Sequence, residues 1–398
     1  MLTSGGWQQD EAGTMGRCVR GCPRITRSSN SGSARRAVHE GAVDLPLPRY
    51  FVGMHITLPS SVRAADALQV VSALQARLVD HLAALGRLAG APRDPEPVSW
   101  QRDEGRHGGG TRYGVGGTTA FDRASVNVSV VHYDDLPGKA LGSATALSAI
   151  VHPANPHVPS LHTHVSWTEL RDGTGAWRLM ADLNPSIVHP EAKATFEAAL
   201  AGVAPEHLAL ATAEGERYFY VPALGRTRGV AHFYLEDHAT EDEQADLDLA
   251  RRFGETVIDA YAALAGAAFR AWPEITEADR AAQLAYHTLY FFQVLTLDRG
   301  TTSGLLIHDQ NDVGILGSLP SHVDRELLAS WAPRCPPPQD RLVLALLDVL
   351  PETSPCLVSE DLKPALARVL RAHYRAWPEA LELQARGQVL PRTVDNHR

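Results

Sequence analysis

The run Val151-His-Pro-Ala-Asn-Pro-His-Val-Pro-Ser-Leu-His-Thr-His-Val-Ser-Trp167 decides how the chain is read, because it joins a stiff turn to a strand. Pro153, Pro156 and Pro159 fix φ and remove backbone donors, so the segment holding them is largely non-helical. From 161 to 167 the side chains alternate Leu, His, Thr, His, Val, Ser, Trp, the period of a half-buried strand. His162 and His164 then share one face, with His152 and His157 just upstream. A strand presenting neighbouring imidazoles can bind a metal, move protons near neutral pH, or hydrogen-bond carboxylates. Histidine makes up 18 of 398 residues, many of them scattered. With neither an HExxH helix nor a Cys/His zinc spacing, the pattern supports a polar site and leaves its chemistry open.

Outward from this run, the same alternation recurs. Upstream, a Gly-rich stretch at 104–117 leads into a strand with Val126, Val128 and Val130 on one face. The glycines let backbone approach a ligand, or serve as a flexible hairpin; they form neither a Walker A motif nor GxGxxG before a helix. Downstream, strands are expected at 175–183, 217–221, 229–235 and 290–297, and a hairpin at 304–307 and 313–318 around Asp309-Gln-Asn-Asp312. Helical spacing of Leu68, Val71, Leu74, Leu78, Leu82 and Leu85 predicts a helix over 61–85, capped by Ser60 or Ser61 and ended by Gly86. Further helices are expected near 191–201, after a Thr240/Glu243 capping box, from Thr276 with Asp279, and at 339–350 and 359–381. Successive strands between helices predict an α+β fold, a large, mainly antiparallel β-sheet sandwiched between α-helical layers.

With 44% hydrophobic residues, the chain can bury a sizeable core, and a net charge of −9 argues against a general nucleic-acid binder. No apolar run approaches the roughly 20 residues of a membrane span. The N-terminus lacks a secretory pattern, so a cytoplasmic protein is expected. Cys18, Cys22, Cys335 and Cys356 are too dispersed for a disulfide framework, which makes reduced thiols the default. Residues 1–45 read as a disordered tail, 46–350 as the main domain and 351–398 as a C-terminal helical extension.

Several collinear segments resemble the oxygen-dependent coproporphyrinogen III oxidase family across 49–350. They are Trp100-Gln-Arg-Asp-Glu-Gly105, Phe121-Asp-Arg-Ala-Ser-Val-Asn-Val-Ser-Val-Val-His132, Val151-His-Pro-Ala-Asn-Pro-His157 with its continuation to His162, Ala181-Asp-Leu-Asn-Pro185, Tyr218-Phe-Tyr-Val-Pro222, Arg228-Gly-Val230, Asp298-Arg-Gly-Thr301 and Ser318-Leu-Pro320. The resemblance implies a homodimer that oxidatively decarboxylates two propionates of coproporphyrinogen III to vinyl groups, giving protoporphyrinogen IX in haem biosynthesis. It also implies catalytic roles for His162, Asp182, Asp298 and Arg299, and substrate contacts at Ser148, His164, Arg228 and Arg112. The resemblance further implies molecular oxygen as co-substrate, no other required cofactor, and room for a divalent metal such as manganese at His152, His162 and Glu197.

The departures matter too. After His162 the family continues with Asn, one residue, then Arg, where this chain has His164 and Ser166. A family triple glycine is replaced by Arg178-Leu-Met before Ala181, and a Gly-Gly-Arg near Asn311 is absent. A divergent paralogue acting on another tetrapyrrole, or a non-catalytic porphyrin or haem binder, therefore stands as the alternative.

Overall fold

The computed structural model describes residues 55–307 and 311–386. The expected tail with Cys18 and Cys22 lies outside them. Seven strands pair in chain order, each antiparallel to its neighbour: β1 (Glu96–Gln101), β2 (Gly108–Gly116), β3 (Phe121–His132), β4 (Leu141–Pro153), β5 (Ser160–Leu170), β6 (Gly175–Asn184) and β7 (Ala231–His238). Between β6 and β7 come α2 (Pro190–Val203) and α3 (Leu208–Tyr218). Register sets the polar residues in a row: Ser148 opposite His164, His162 opposite Asp182, Ser166 opposite Arg178, and Asp182 opposite His232.

Because side chains alternate across a pleated strand, the sheet has two unlike faces. Val126, Val128, Leu147, Val151, Leu161, Val165, Leu179 and Phe233 form a buried apolar face. It packs under α1 (Val62–Leu88) and α4 (Glu243–Ala271), whose Leu74, Leu78, Phe253 and Tyr261 join the same core. Each such side chain contributes roughly 1.5–3 kcal/mol on burial. One polar staple crosses this layer: Gln75 Nε2 donates to the Thr111 and Val126 carbonyls at 2.8 and 3.0 Å.

The opposite face carries Asn127, Ser148, His162, His164, Arg178, Asp182 and His232. It is covered by α5 (Glu277–Thr296), α6 (Arg299–Ile307) and the short α7 (Asp312–Ile315). Behind these, α8 (Arg325–Trp331), α9 (Gln339–Val349) and α10 (Lys363–Ala376) close a second apolar core with Phe291, Phe292, Leu342, Leu346, Leu366 and Leu370. Tyr374 and Ala380 belong to that core, and the Ala385 N–H donates to the Leu297 carbonyl at 2.9 Å. The α+β sandwich expected from sequence is the observed architecture.

Several local expectations are corrected. Residues 290–297, read as a strand, lie almost wholly in α5, in which every residue from 286 to 296 is buried. A run buried on all sides has no period to read, so its aromatic and β-branched content misleads. The hairpin expected at 304–307 and 313–318 is instead the end of α6, then α7 and a 3-10 turn. Helix α3 extends to Tyr218, and only Tyr220–Val221 of the expected strand pairs, with Arg226–Thr227. The Gly-rich stretch is mostly β2, because a Cβ at Gly110 would lie 2.2 Å from the Val128 carbonyl oxygen and 2.8 Å from the Trp100 ring. Helix α1 passes Gly86 to Leu88, and Asp242, not Thr240, caps α4. Helix α10 is shorter than the expected 359–381, with 3-10 turns before and after it. Thr276 and Asp279 do form the capping box of α5.

Candidate active site

Between the polar sheet face and α5–α7 lies a cavity of about 390 Å³. Strands β3 to β6 line it with Ser125, Asn127, Ser148, His162, His164 and Arg178. The helical side supplies Val294, Asp298, Thr301, Gly304 and Ile315, and Tyr218 and Tyr234 close one wall. Asp298 sits between α5 and α6, where one carboxylate oxygen accepts the Thr301 N–H (2.7 Å) and the other the Tyr218 hydroxyl (3.1 Å). It therefore fixes the start of α6 and faces the cavity at once. Burial, and then Asp298, hold the Tyr218 phenol well above its ordinary pKa, so it stays a donor.

Directly behind this wall runs a buried chain of charge. Arg228 Nε donates to Asp182 (3.0 Å) and to the Asn184 side-chain oxygen (3.1 Å), Nη1 donates to Gln293 (2.5 Å), and Nη2 donates to Asp182 and to His162 Nδ1 (2.9 Å). The guanidinium is sandwiched between the Phe219 and Tyr290 rings, 4.8 and 5.1 Å from their centroids. His232 Nδ1 meets the other Asp182 oxygen at 2.7 Å. This close approach requires glycine at 229, since a Cβ there would lie 2.3 Å from Asp182 Oδ1.

The electrostatics follow. Burial alone would push the Asp182 carboxyl up, but Arg228 and His232 hold it well below the usual carboxylate range. Burial, then Arg228, lower the His162 imidazole to about 4, against the opposing pull of Asp298 and Asp182. At neutral pH His162 is uncharged. Since a guanidinium only donates, His162 Nδ1 accepts from it, and the ring carries its proton on Nε2.

The structure brings His162, His164, Ser148 and Asp298 to one cavity. Asp182 and Arg228 sit behind it, fully engaged with each other and reaching it through His162. Arg299 turns away, donating to the Leu381 carbonyl at 3.3 Å. Arg112 lines a second, smaller cavity instead. The trio His152, His162 and Glu197 is not assembled. His152 is buried against Tyr290 with its Nδ1 on Ser160, while Glu197 is exposed on α2 and paired with Lys193 at 2.9 Å. Among the described residues no group of three or more His, Cys, Asp or Glu side chains is placed to hold a metal ion.

Sequence reasoning missed Tyr218, Gln293 and His232 as partners, and the Arg178–Glu236 pair. Arg178 faces Ser166 across the β5–β6 ladder and lines the cavity, and its Nε lies 2.5 Å from Glu236. The alternating Ala231-His-Phe-Tyr-Leu-Glu236 was the available sign, since it puts His232, Tyr234 and Glu236 on the face of His162.

A family model described as "Coproporphyrinogen III oxidase" matches residues 67–343. The chain is 25% identical over 276 residues to the mitochondrial oxygen-dependent coproporphyrinogen-III oxidase of Rattus norvegicus, covering 63% of this chain and 60% of that relative. It is 28% identical over 288 residues to the chloroplastic coproporphyrinogen-III oxidase 1 of Arabidopsis thaliana, covering 66% and 72%. With the oxygen-dependent coproporphyrinogen-III oxidase of Dictyostelium discoideum it shares 28% identity over 222 residues, 50% and 64% of the two chains. The match thus spans about 60% of the length of the rat and mouse relatives. With more than half its length matched by that one model, the chain belongs to the coproporphyrinogen III oxidase family.

Proposed function

We propose that the chain decarboxylates propionate side chains of coproporphyrinogen III, or a close relative, to vinyl groups with molecular oxygen, in haem biosynthesis. Each conversion removes CO2, one proton and two electrons from a –CH2–CH2–COO⁻ arm, and dioxygen accepts the electrons. A reduced tetrapyrrole offers pyrrole N–H donors, for which the Asp298 carboxylate is an acceptor on the cavity wall. Neutral His162, its Nδ1 tied to Arg228, offers an Nε2–H to oxygen that becomes negative during reduction. Ser148 and His164 add polar contacts on the same wall. Asp182 and Arg228 act as positioning residues. The observation that carries this reading is that the His162 imidazole and the Asp298 carboxylate face one cavity, with the buried Arg228 guanidinium donating to the back of the imidazole.

The test is turnover of chemically reduced coproporphyrinogen under air and under argon. Vinyl-bearing product in air alone is expected; no altered tetrapyrrole under either gas would overturn the assignment.

A second reading has its own observation. The cations lining the cavity, Arg102 and Arg178, each have an acidic neighbour, Asp103 at 3.8 Å and Glu236 at 2.5 Å. Such neutralisation favours a substrate with fewer carboxylates. Porphyrinogens with two, three and four propionates, compared by kcat/KM, separate the readings.

A homodimer in the cytosol completes the proposal. The exposed edge strand β1, with Val98 half exposed, supports association, and the free, buried Cys335 and Cys356 thiols suit a reducing compartment. No described helix is long and apolar enough to cross a membrane. Light scattering and cell fractionation test these two points.

A further inference from the structure

A second cavity, of about 300 Å³, opens where β2 and β3 meet the start of α10, on the sheet face that bears the first. Its wall carries Arg93, Arg112, Arg123, Lys363 and the carboxylate of Glu360, and Ser125 lines both cavities. Arg93 lies 3.3 Å from Glu96. The remaining three cations have Glu360 alone among the acidic residues on this wall. Lys363 Nζ and Arg123 Nη1 lie 2.8 and 3.0 Å from the same Glu360 oxygen. Arg112 points Nη1 at the Val313 carbonyl (3.3 Å) and makes no ion pair among the described residues. Arg123 Nε is buried without a hydrogen-bond partner, and Lys363 is only 1% exposed.

Three cations around one carboxylate leave two positive charges in excess in a space partly removed from water. Like charges held so closely cost free energy, and neutral side chains would fill the same volume with less strain. The Lys363 ammonium registers the crowding. Burial first, and then Arg123 and Arg112, push it down to about 8 in spite of Glu360. An anion with more than one charge would satisfy the donors that Glu360 leaves over, and guanidinium forks suit carboxylate and phosphate oxygens alike.

We propose that this cavity is a binding site for a compact polyanion, a phosphate or a small di- or tricarboxylate, held by Arg112, Arg123 and Lys363. Two sources share that chemistry: a free small anion, or a carboxylate arm of a ring seated in the first cavity and reaching past Ser125. The second source rests on the proposed function; the first does not.

Inorganic phosphate, succinate and citrate, titrated calorimetrically into the full chain at constant ionic strength, provide the test. Saturable binding of at least one is expected, weakened tenfold or more in Arg123→Gln. Glu360→Gln removes the competing carboxylate and is expected to tighten the same anion several-fold, an effect that a merely structural cluster would not produce. Both side chains are partly exposed, and circular dichroism verifies that the variants fold. Repeating the titration with oxidised coproporphyrin present separates the sources, because a ring arm occupying the site abolishes anion binding and a free-anion site keeps it. Absence of saturable binding for all three anions, or equal affinities in wild type and both variants, overturns the proposal. Neither result bears on whether a tetrapyrrole is decarboxylated.

Discussion

Arg228 is the residue on which the site turns, because every direction of its guanidinium is used: toward Asp182, Asn184, Gln293 and His162. Its partner Asp182 is fully buried, so neutralising one member strands the other's charge. Asp182→Asn is therefore expected to destabilise the fold by about 3–5 kcal/mol, the range for breaking a buried pair. Turnover should also fall at least a hundredfold, since Arg228, no longer held by the Asp182 carboxylate, ceases to fix the tautomer of His162. Chemical denaturation and steady-state kinetics check both, and a near-normal stability would contradict the buried-pair geometry. At this scale the sequence was legible wherever a motif coincided with a strand, as for His162 and Asp182, whose side-chain direction follows from alternation. It was illegible for Arg299, adjacent to Asp298 in the chain but turned toward Leu381. One residue along a helix start rotates a side chain by about 100°, and only the packing of the C-terminal segment decides where it goes.

Between elements, most of the seven strands and the helices over the apolar face were readable, and the helical cover of the polar face largely was not. Strands β3 and β5 each have one apolar and one polar face, so period-two alternation survives in the sequence. Strand β4, whose two faces mix Ser, Thr, Ala and aliphatic residues, and β1 have no such alternation and were not anticipated. Helix α5 is buried on all sides from Tyr286 to Thr296, which erases the amphipathic stripe that would have named it. What remained visible was its start: Thr276 Oγ1 accepts the Asp279 N–H at 3.2 Å, and the Asp279 carboxylate accepts the Thr276 N–H at 2.9 Å. Because that cap lies at the far end of α5 from Asp298, Thr276→Ala should cost about 1 kcal/mol of stability. Catalytic constants should stay unchanged at a temperature where both proteins are folded. A lowered kcat in the folded variant would mean that α5 transmits its N-terminal position to the site.

Taken whole, the molecule places several titratable groups on one polar sheet face and then covers that face with helices. His152 is held well below its ordinary pKa by burial and then by His287 and Arg228; His164 by burial and then by Arg178; His162, at about 4, by burial and then by Arg228. In the unfolded chain these imidazoles regain a value near 6.5. Between that value and their folded ones the unfolded state binds more protons, so stability rises with pH across this window. Their contribution is complete above about pH 6.5 and is lost as pH falls, for His162 over the interval down to about 4. Asp182, also depressed, adds a further loss only below about pH 3.8. The melting temperature is therefore expected to be level from pH 8 to 7 and to fall by on the order of 10 °C by pH 4.5. Thermal unfolding followed by circular dichroism in buffers of matched ionic strength measures this. His162→Gln, whose side-chain oxygen can still accept from Arg228, should give a shallower curve by the share of one histidine. A melting temperature constant from pH 7 to 4.5 would mean that these imidazoles are solvated, and that the face carrying the site is open to water.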